Sequence, residues 1–418
     1  MYRKTILENG LRVLTEKVPY VKSVSVGIWV TCGSRDETEA EAGLSHFIEH
    51  MIFKGTARRN AHQIAREIDQ TGGMANAYTS KEFTCFHARV KSDHLPLAVD
   101  LLTDIFLHSI FDAEDIDRER QVILQEINMI EDTPDEHIYV LFGQNLWPKA
   151  ALGRPILGTV ETVSRARRED LFQYLNKHYL PDRIVVAAAG DVDHQAFVDL
   201  VGPSLDAMPA RENKRSYRKP EVATGLKVTQ KKLEQVHFCL GTPFTSSLDD
   251  RRYAGAVLNT ILGGNMSSRL YQEIREKRGL AYVIFSFLVT YMDTGLLGVY
   301  AGVSREDTAE AVRLTLVELS RLRDGGIKEA DINAAKEYLK GGIALDLEST
   351  DNIMTRLVKN ETTYQRYIGF EEVMSAIDRV TKDQVVALAE DYFRQENLAL
   401  TVLGDLPENG LDPGILTL

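Results

Sequence analysis

The chain has 418 residues, 44% of them hydrophobic and 26% charged, and a formal net charge of −12. That length exceeds what one core supports and points to two domains of about 200 residues each. The acidic balance disfavours nucleic acid or anionic lipid as a partner, and no run approaches the roughly 18 apolar residues of a membrane span.

The N-terminal decapeptide has two basic residues but neither an apolar core nor a small-residue cleavage site, so an exported protein is not expected. Only Cys32, Cys85 and Cys239 occur, without CxxC spacing. Such usage argues against a disulfide framework or a thiolate metal site and fits a reducing, cytoplasmic setting.

In chain order, Gly10 to Val13 and the run through Val24, Val26, Ile28 and Val30 read as antiparallel strands. A helix is expected over Ala42 to Lys54, because Leu44, Phe47, Ile48, Met51 and Ile52 recur at helical spacing. Off that stripe, His46 and His50 stand one turn apart with Glu49 beside them. Two neutral imidazoles can grip a divalent ion from one side, and a neighbouring carboxylate can take a proton from water. His-x-x-Glu-His is the inverted zinc-protease pattern. Three polar residues on a solvated face are the alternative, with a chance match somewhere in the chain at roughly three in a hundred.

Ala61 to Asp69 reads as a second helix, Ala75 to Val90 as one or two strands, and Leu95 to Ser109 as a helix. Ala113 to Glu131 is a long helix on which Glu119 and Glu126, seven apart, share a face beside an isoleucine stripe. That both glutamates sit at the solvent boundary, or pair with Arg118 and Arg120, is the simpler reading. Arg183 to Val192 is a buried strand, and Pro203 to Pro220, with Arg211, Lys214, Arg215, Arg218 and Lys219, reads as a linker.

Beyond the linker, Gly225-Leu226-Lys227-Val228 echoes Gly10-Leu11-Arg12-Val13. Leu398 to Leu403 with Gly404-Asp405 echoes the strand before Gly190-Asp191. Two landmarks kept in register predict two domains of one α+β fold, each a mostly antiparallel sheet with helices on one face. The expected boundaries are 1–205, a linker 206–222, and 223–418. His46 falls opposite Ile261, so metal chemistry is confined to the first half.

The compound pattern His46-x-x-Glu49-His50 with Glu126 and Glu119 resembles the pitrilysin and insulysin family of zinc peptidases. The context His46 to Thr56 is most similar to the branch of the mitochondrial processing peptidase β subunit and its bacterial relatives. The resemblance implies one zinc per chain on His46, His50 and Glu126, with Glu49 as general base and Glu119 orienting a histidine or supporting the base. It implies a substrate-holding edge strand around Asn76, Ala77 and Tyr78. Arg275 and Tyr282 match the pair that contacts the scissile carbonyl and substrate backbone.

The activity so implied is zinc-dependent endopeptidase cleavage of unfolded peptides in a chamber built from four domains; acidity concentrated in that cavity would favour basic ones. This chain supplies two, so a homodimer is the simpler expectation and a heterodimer with a related chain the other. The competing reading is a non-catalytic scaffold or peptide-binding subunit, which would lack ligands that are present here.

Overall fold

The computed structural model describes residues 1–211, 217–407 and 409–418; Lys214 and Arg215 of the expected linker lie outside the described residues. The chain divides into two compact units. One is formed by Met1–Met129, Arg154–Ser216 and Leu345–Tyr367, the other by Ile130–Gly153, Tyr217–Ala344 and Ile368–Leu418.

The first unit holds a six-stranded sheet in the order β1 (Tyr2–Ile6), β2 (Arg12–Lys17), β6 (Ile184–Gly190), β3 (Ser23–Val30), β5 (Thr84–Lys91), β4 (Met74–Thr79). Every neighbouring pair is antiparallel except β2 and β6. The two N-terminal strands read from the sequence do form, but β6 lies between them. Alternation along β3 sends Val24, Val26, Ile28 and Val30 into one core and Trp29 into another. The first core is completed by α1 (Leu44–Ile52), α2 (Ala61–Asp69), α3 (Leu95–His108) and α4 (Ala113–Asp132).

The second unit repeats this order without the outermost strand: β7 (Gly225–Gln230), β11 (Ala399–Gly404), β8 (Val236–Phe244), β10 (Gly295–Val303), β9 (Ala281–Thr290). Here too the pair next to the first edge, β7 and β11, is the parallel one. The repeat seen in the sequence is therefore a repeat of topology.

Two expectations change. The contiguous boundaries 1–205 and 223–418 give way to units that each include a distant segment, and each sheet is covered on both faces. In the first unit Ile353, Met354, Leu357 and Val358, on the helix Thr350–Lys359, pack on Leu14, Trp29, Cys85, Val185 and Ala187. In the second, α5 (Pro134–Leu146) lays Ile138, Phe142 and Leu146 on Cys239, Leu296, Tyr300 and Leu403. The cause is visible in β6, buried along its whole length. A strand apolar on both faces needs cover on both. Gly241 makes room for the α5 contact, since a Cβ there would come within 2.7 Å of the Phe142 ring. The segment read as linker from Pro203 begins inside the helix His194–Leu205. Among the described residues no helix is long and apolar enough to cross a membrane.

The distant helix is integral to the first unit. Leu357→Ala should lower its unfolding free energy by about 3 kcal/mol, the ordinary cost of a buried leucine. A fragment of residues 1–216 with a linker in place of 130–153 should stay insoluble until residues 345–367 are tethered to it. Denaturant melts and solubility assays check both, and a soluble, cooperatively folding fragment without residues 345–367 would show that the distant helix is dispensable.

Candidate metal centre

Helix α1 is shorter than its periodicity suggested, Leu44–Ile52 against Ala42 to Lys54. Gly43 ends it in the left-handed region at φ 94°, where a Cβ would meet the Leu157 carbonyl at 2.7 Å. Leu44, Phe47, Ile48, Met51 and Ile52 are buried. That anchoring turns His46, Glu49 and His50 to the opposite side.

Helix α4 brings the two glutamates. Ile116, Ile123 and Ile127 enter the same core as α1, so the adjacent face carrying Glu119 and Glu126 is aimed at the histidines. The solvent-boundary pairing does not occur. Arg118 pairs with Asp115 instead, and Arg120 donates to the Val163 and Ala166 carbonyls, each at 2.8 Å.

Glu126 Oε2 lies 3.6 Å from His46 Nε2 and 3.5 Å from His50 Nε2. The two rings sit 4.6 Å apart, tilted by 60°. One donor atom from each of the three residues falls within 4.8 Å of the others. Glu119, 7% exposed, accepts a hydrogen bond from His50 Nδ1 at 3.0 Å and pairs with Lys54 Nζ at 2.6 Å. A carboxylate only accepts, so the hydrogen sits on Nδ1 and the Nε2 lone pair faces Glu126. Burial pushes the Glu119 carboxyl up, but the bonds from Lys54 and His50 outweigh it and hold the group below its usual range. Burial, helped by the neighbouring His50, lowers His46 to about 3, which keeps its imidazole neutral.

Glu49 stands beside this group. Burial raises its carboxyl, against a 2.6 Å bond donated by Thr79 Oγ1 and the nearby His50. Sequence reading gave no role to Thr79 or Lys54. Lys54 follows His50 by one turn, which is the spacing that could have flagged it; Thr79 carries no comparable signal.

These residues fit a divalent ion. Glu126 Oε2 is buried without a hydrogen-bond partner, and so is His46 Nδ1. An ionised oxygen in that state is costly unless a cation neutralises it. Two nitrogens and one oxygen leave a fourth position for water or substrate, as in catalytic zinc sites.

Among the described residues one other group could hold a metal: Cys32, Asp36 and His178. There Arg183 Nη1 lies 3.1 Å from His178 Nδ1 and donates to it, so the ring hydrogen is on Nε2 and a cation stands next door. That chemistry opposes a metal.

The remaining expected site residues are placed as follows. Asn76, Ala77 and Tyr78 lie on β4, an edge of the six-stranded sheet. Asn76 Oδ1 accepts from the Ala77 N–H at 2.9 Å, and Tyr78 packs with the core under the helix Thr350–Lys359. Arg275 and Tyr282 belong to the second unit. The Arg275 guanidinium sits 4.7 Å over the Tyr271 ring and 5.1 Å over the Tyr282 ring, and Tyr282 is 75% exposed. Arg275 rides on a π-helical turn, Tyr271–Glu276, and Gly279 at φ 65° turns the chain into β9.

Comparison with known proteins gives the family. Residues 12–160 match the insulinase (peptidase family M16) model and residues 165–339 the peptidase M16 inactive domain model. A protein named an uncharacterized zinc protease from Streptomyces coelicolor is 40% identical, over 97% of this chain and 90% of its own length. Another so named, from Bacillus subtilis, is 37% identical over 97% of this chain and 100% of its own. A crystal structure of a protease from Helicobacter pylori, 21% identical, superposes with a TM-score of 0.90 over 97% of this chain and 99% of that one, a likeness of fold. The presence of the inverted motif, the distant glutamate and the two-unit repeat in one chain agrees with these matches: the protein belongs to peptidase family M16, the insulinase family.

Proposed function

We propose that this chain is a zinc endopeptidase acting on unfolded peptides. The observation that carries the reading is the Glu126 Oε2 atom, buried and partnerless between two imidazole Nε2 atoms. His46, His50 and Glu126 would hold the ion. Bound there, zinc supplies Lewis acidity, polarising a carbonyl and making water a nucleophile near neutral pH.

Glu49 takes the proton of the attacking water and hands it to the leaving amine. A carboxyl raised by burial suits both halves of that transfer. Glu119 fixes the His50 ring. A peptide would lie along the open edge of β4 at Asn76, Ala77 and Tyr78, by strand addition. That strand ends at Thr79, whose hydroxyl holds Glu49, so a peptide paired there runs past the base. The acidic net charge favours basic peptides.

Arg275 and the exposed Tyr282 would steady the developing oxyanion. The metal group and this pair lie in different units, and we infer a homodimer in which each chain's pair serves its partner's zinc. Cys32, Cys85 and Cys239 are buried and form no disulfide, in keeping with a reducing cytoplasm. A purely scaffolding role is disfavoured because every residue of the metal group is in place.

Glu49→Gln should fold, bind zinc and lose activity on a quenched peptide by about 10²- to 10⁴-fold, the usual worth of a general base. Mixed with Tyr282→Phe protein under subunit exchange, it should regain activity. Silence after exchange would rule out assembly in trans. Glu49 must be ionised to act, so activity is present above its pKa and lost as pH falls through it. Removing the Thr79 bond, which favours the charged form, raises that pKa. Thr79→Val should therefore move the acidic limb of the pH–rate profile to higher pH; a limb that stays in place or moves to lower pH would deny Glu49 the role.

A further inference from the structure

Helix α1 has no cap of its own. Gly43 occupies the N-cap position and offers no side chain, so the first N–H groups need acceptors from elsewhere. Leu44 N–H finds the Glu41 carbonyl at 3.0 Å. Glu37, 4% exposed, serves two more: its Oε2 accepts from Gly43 N–H at 2.9 Å and its Oε1 from Ser45 N–H at 2.8 Å. The second of these bonds is made one residue before His46.

The surroundings are assembled around that carboxylate. Arg154 donates to the Glu37 backbone carbonyl, and the half-buried Lys81 donates to the Arg154 carbonyl. The hydroxyl of Tyr174 bonds Ser45 Oγ at 2.8 Å, and the Tyr179 hydroxyl also feels the Glu37 charge. Burial raises Glu37 to about 7 against the pull of its two backbone bonds and Arg154. A negative group at a helix N-terminus is favoured by the helix dipole. A nine-residue helix has little intrinsic stability, so its placement depends on such anchors.

We propose that Glu37 is a positioning residue of the metal centre: by gripping the Gly43 and Ser45 amides it fixes the rotation and height of the turn that carries His46 toward His50 and Glu126. This rests on the reading of His46, His50 and Glu126 as metal ligands. Metal–ligand distances tolerate only about 0.2 Å, so a helix free to roll at its first turn holds the ion poorly. Glu37→Gln keeps one acceptor but sets an NH2 against the other amide. Glu37→Ala removes both.

The test uses the full chain and zinc itself, titrated against a chromophoric chelator, with Glu126→Gln alongside. Glu37→Gln should bind zinc about tenfold more weakly, as other supporting-residue changes do. Its kcat should fall with KM little changed, and amide exchange at residues 44–47 should quicken; Glu37→Ala should be weaker still. Wild-type zinc affinity and kcat in Glu37→Gln would overturn the proposal. If Glu126→Gln also binds zinc normally, the metal reading itself fails; if only Glu37→Gln does, this inference alone fails. Should the variants not fold, wild-type protein labelled with ¹⁵N glycine and serine decides. The Gly43 and Ser45 amide protons should be shifted downfield and protected from exchange, and ordinary shifts with fast exchange would overturn the claim.

Discussion

A carboxylate oxygen of Glu126, buried and without a hydrogen-bond partner, lies between the Nε2 atoms of two imidazoles. An oxygen so placed has given up water without a donor in exchange, so the arrangement is stable only because the surrounding scaffold enforces it or a cation joins it. Much of the first unit can be read as that scaffold. Phe47, Ile48, Met51 and Ile52 lock α1 into the core from one side, and Ile116, Ile123 and Ile127 lock α4 beside it. Each of the two helices is fixed by burial, and the polar faces meet as a consequence.

Charge is then distributed around the group so that each imidazole is in a form able to bind a metal. Glu119 sets the His50 hydrogen on Nδ1, and Lys54 keeps Glu119 ionised. Burial keeps His46 neutral. Glu49 is the exception, held by one hydroxyl and shifted upward by its surroundings, which is the condition a proton carrier needs and a ligand does not. Its tie to Thr79 links Glu49 to the open edge of the sheet, so in the proposed reading the surface offered to an extended chain and the group that would act on it are joined by one hydrogen bond.

Much of this was legible in the sequence because it is written in local periodicity. The stripe of α1, the helix Ala61–Asp69, the face shared by Glu119 and Glu126 and the glycine landmarks of the repeat all follow from spacing within a few turns or from comparison of two halves. What escaped was set by long-range packing. Nothing in the pattern of Ile353, Met354, Leu357 and Val358 says that they cover a sheet more than 150 residues upstream in β6; it says only that the helix has a buried face. β6 inserting between β2 and β3 was hidden for the same reason. At the site, spacing leaves Glu119 and Glu126 open to a surface pairing with Arg118 and Arg120; those arginines instead pair with Glu114, Asp115 and Asp117 on their own helix, and Arg120 also reaches two carbonyls. Glu37, six residues before the glycine whose amide it holds, lies outside any capping pattern a sequence reader would test.

Two imidazoles and one carboxylate, with no sulfur, make up the proposed coordination sphere. X-ray absorption at the zinc edge of protein loaded with one equivalent of metal is the decisive test. The expected first shell is nitrogen and oxygen only, at about 2.0 Å, with the outer scattering of two imidazoles. A sulfur shell at about 2.3 Å, as the Cys32, Asp36 and His178 group would give, or the signature of a single imidazole, would contradict it.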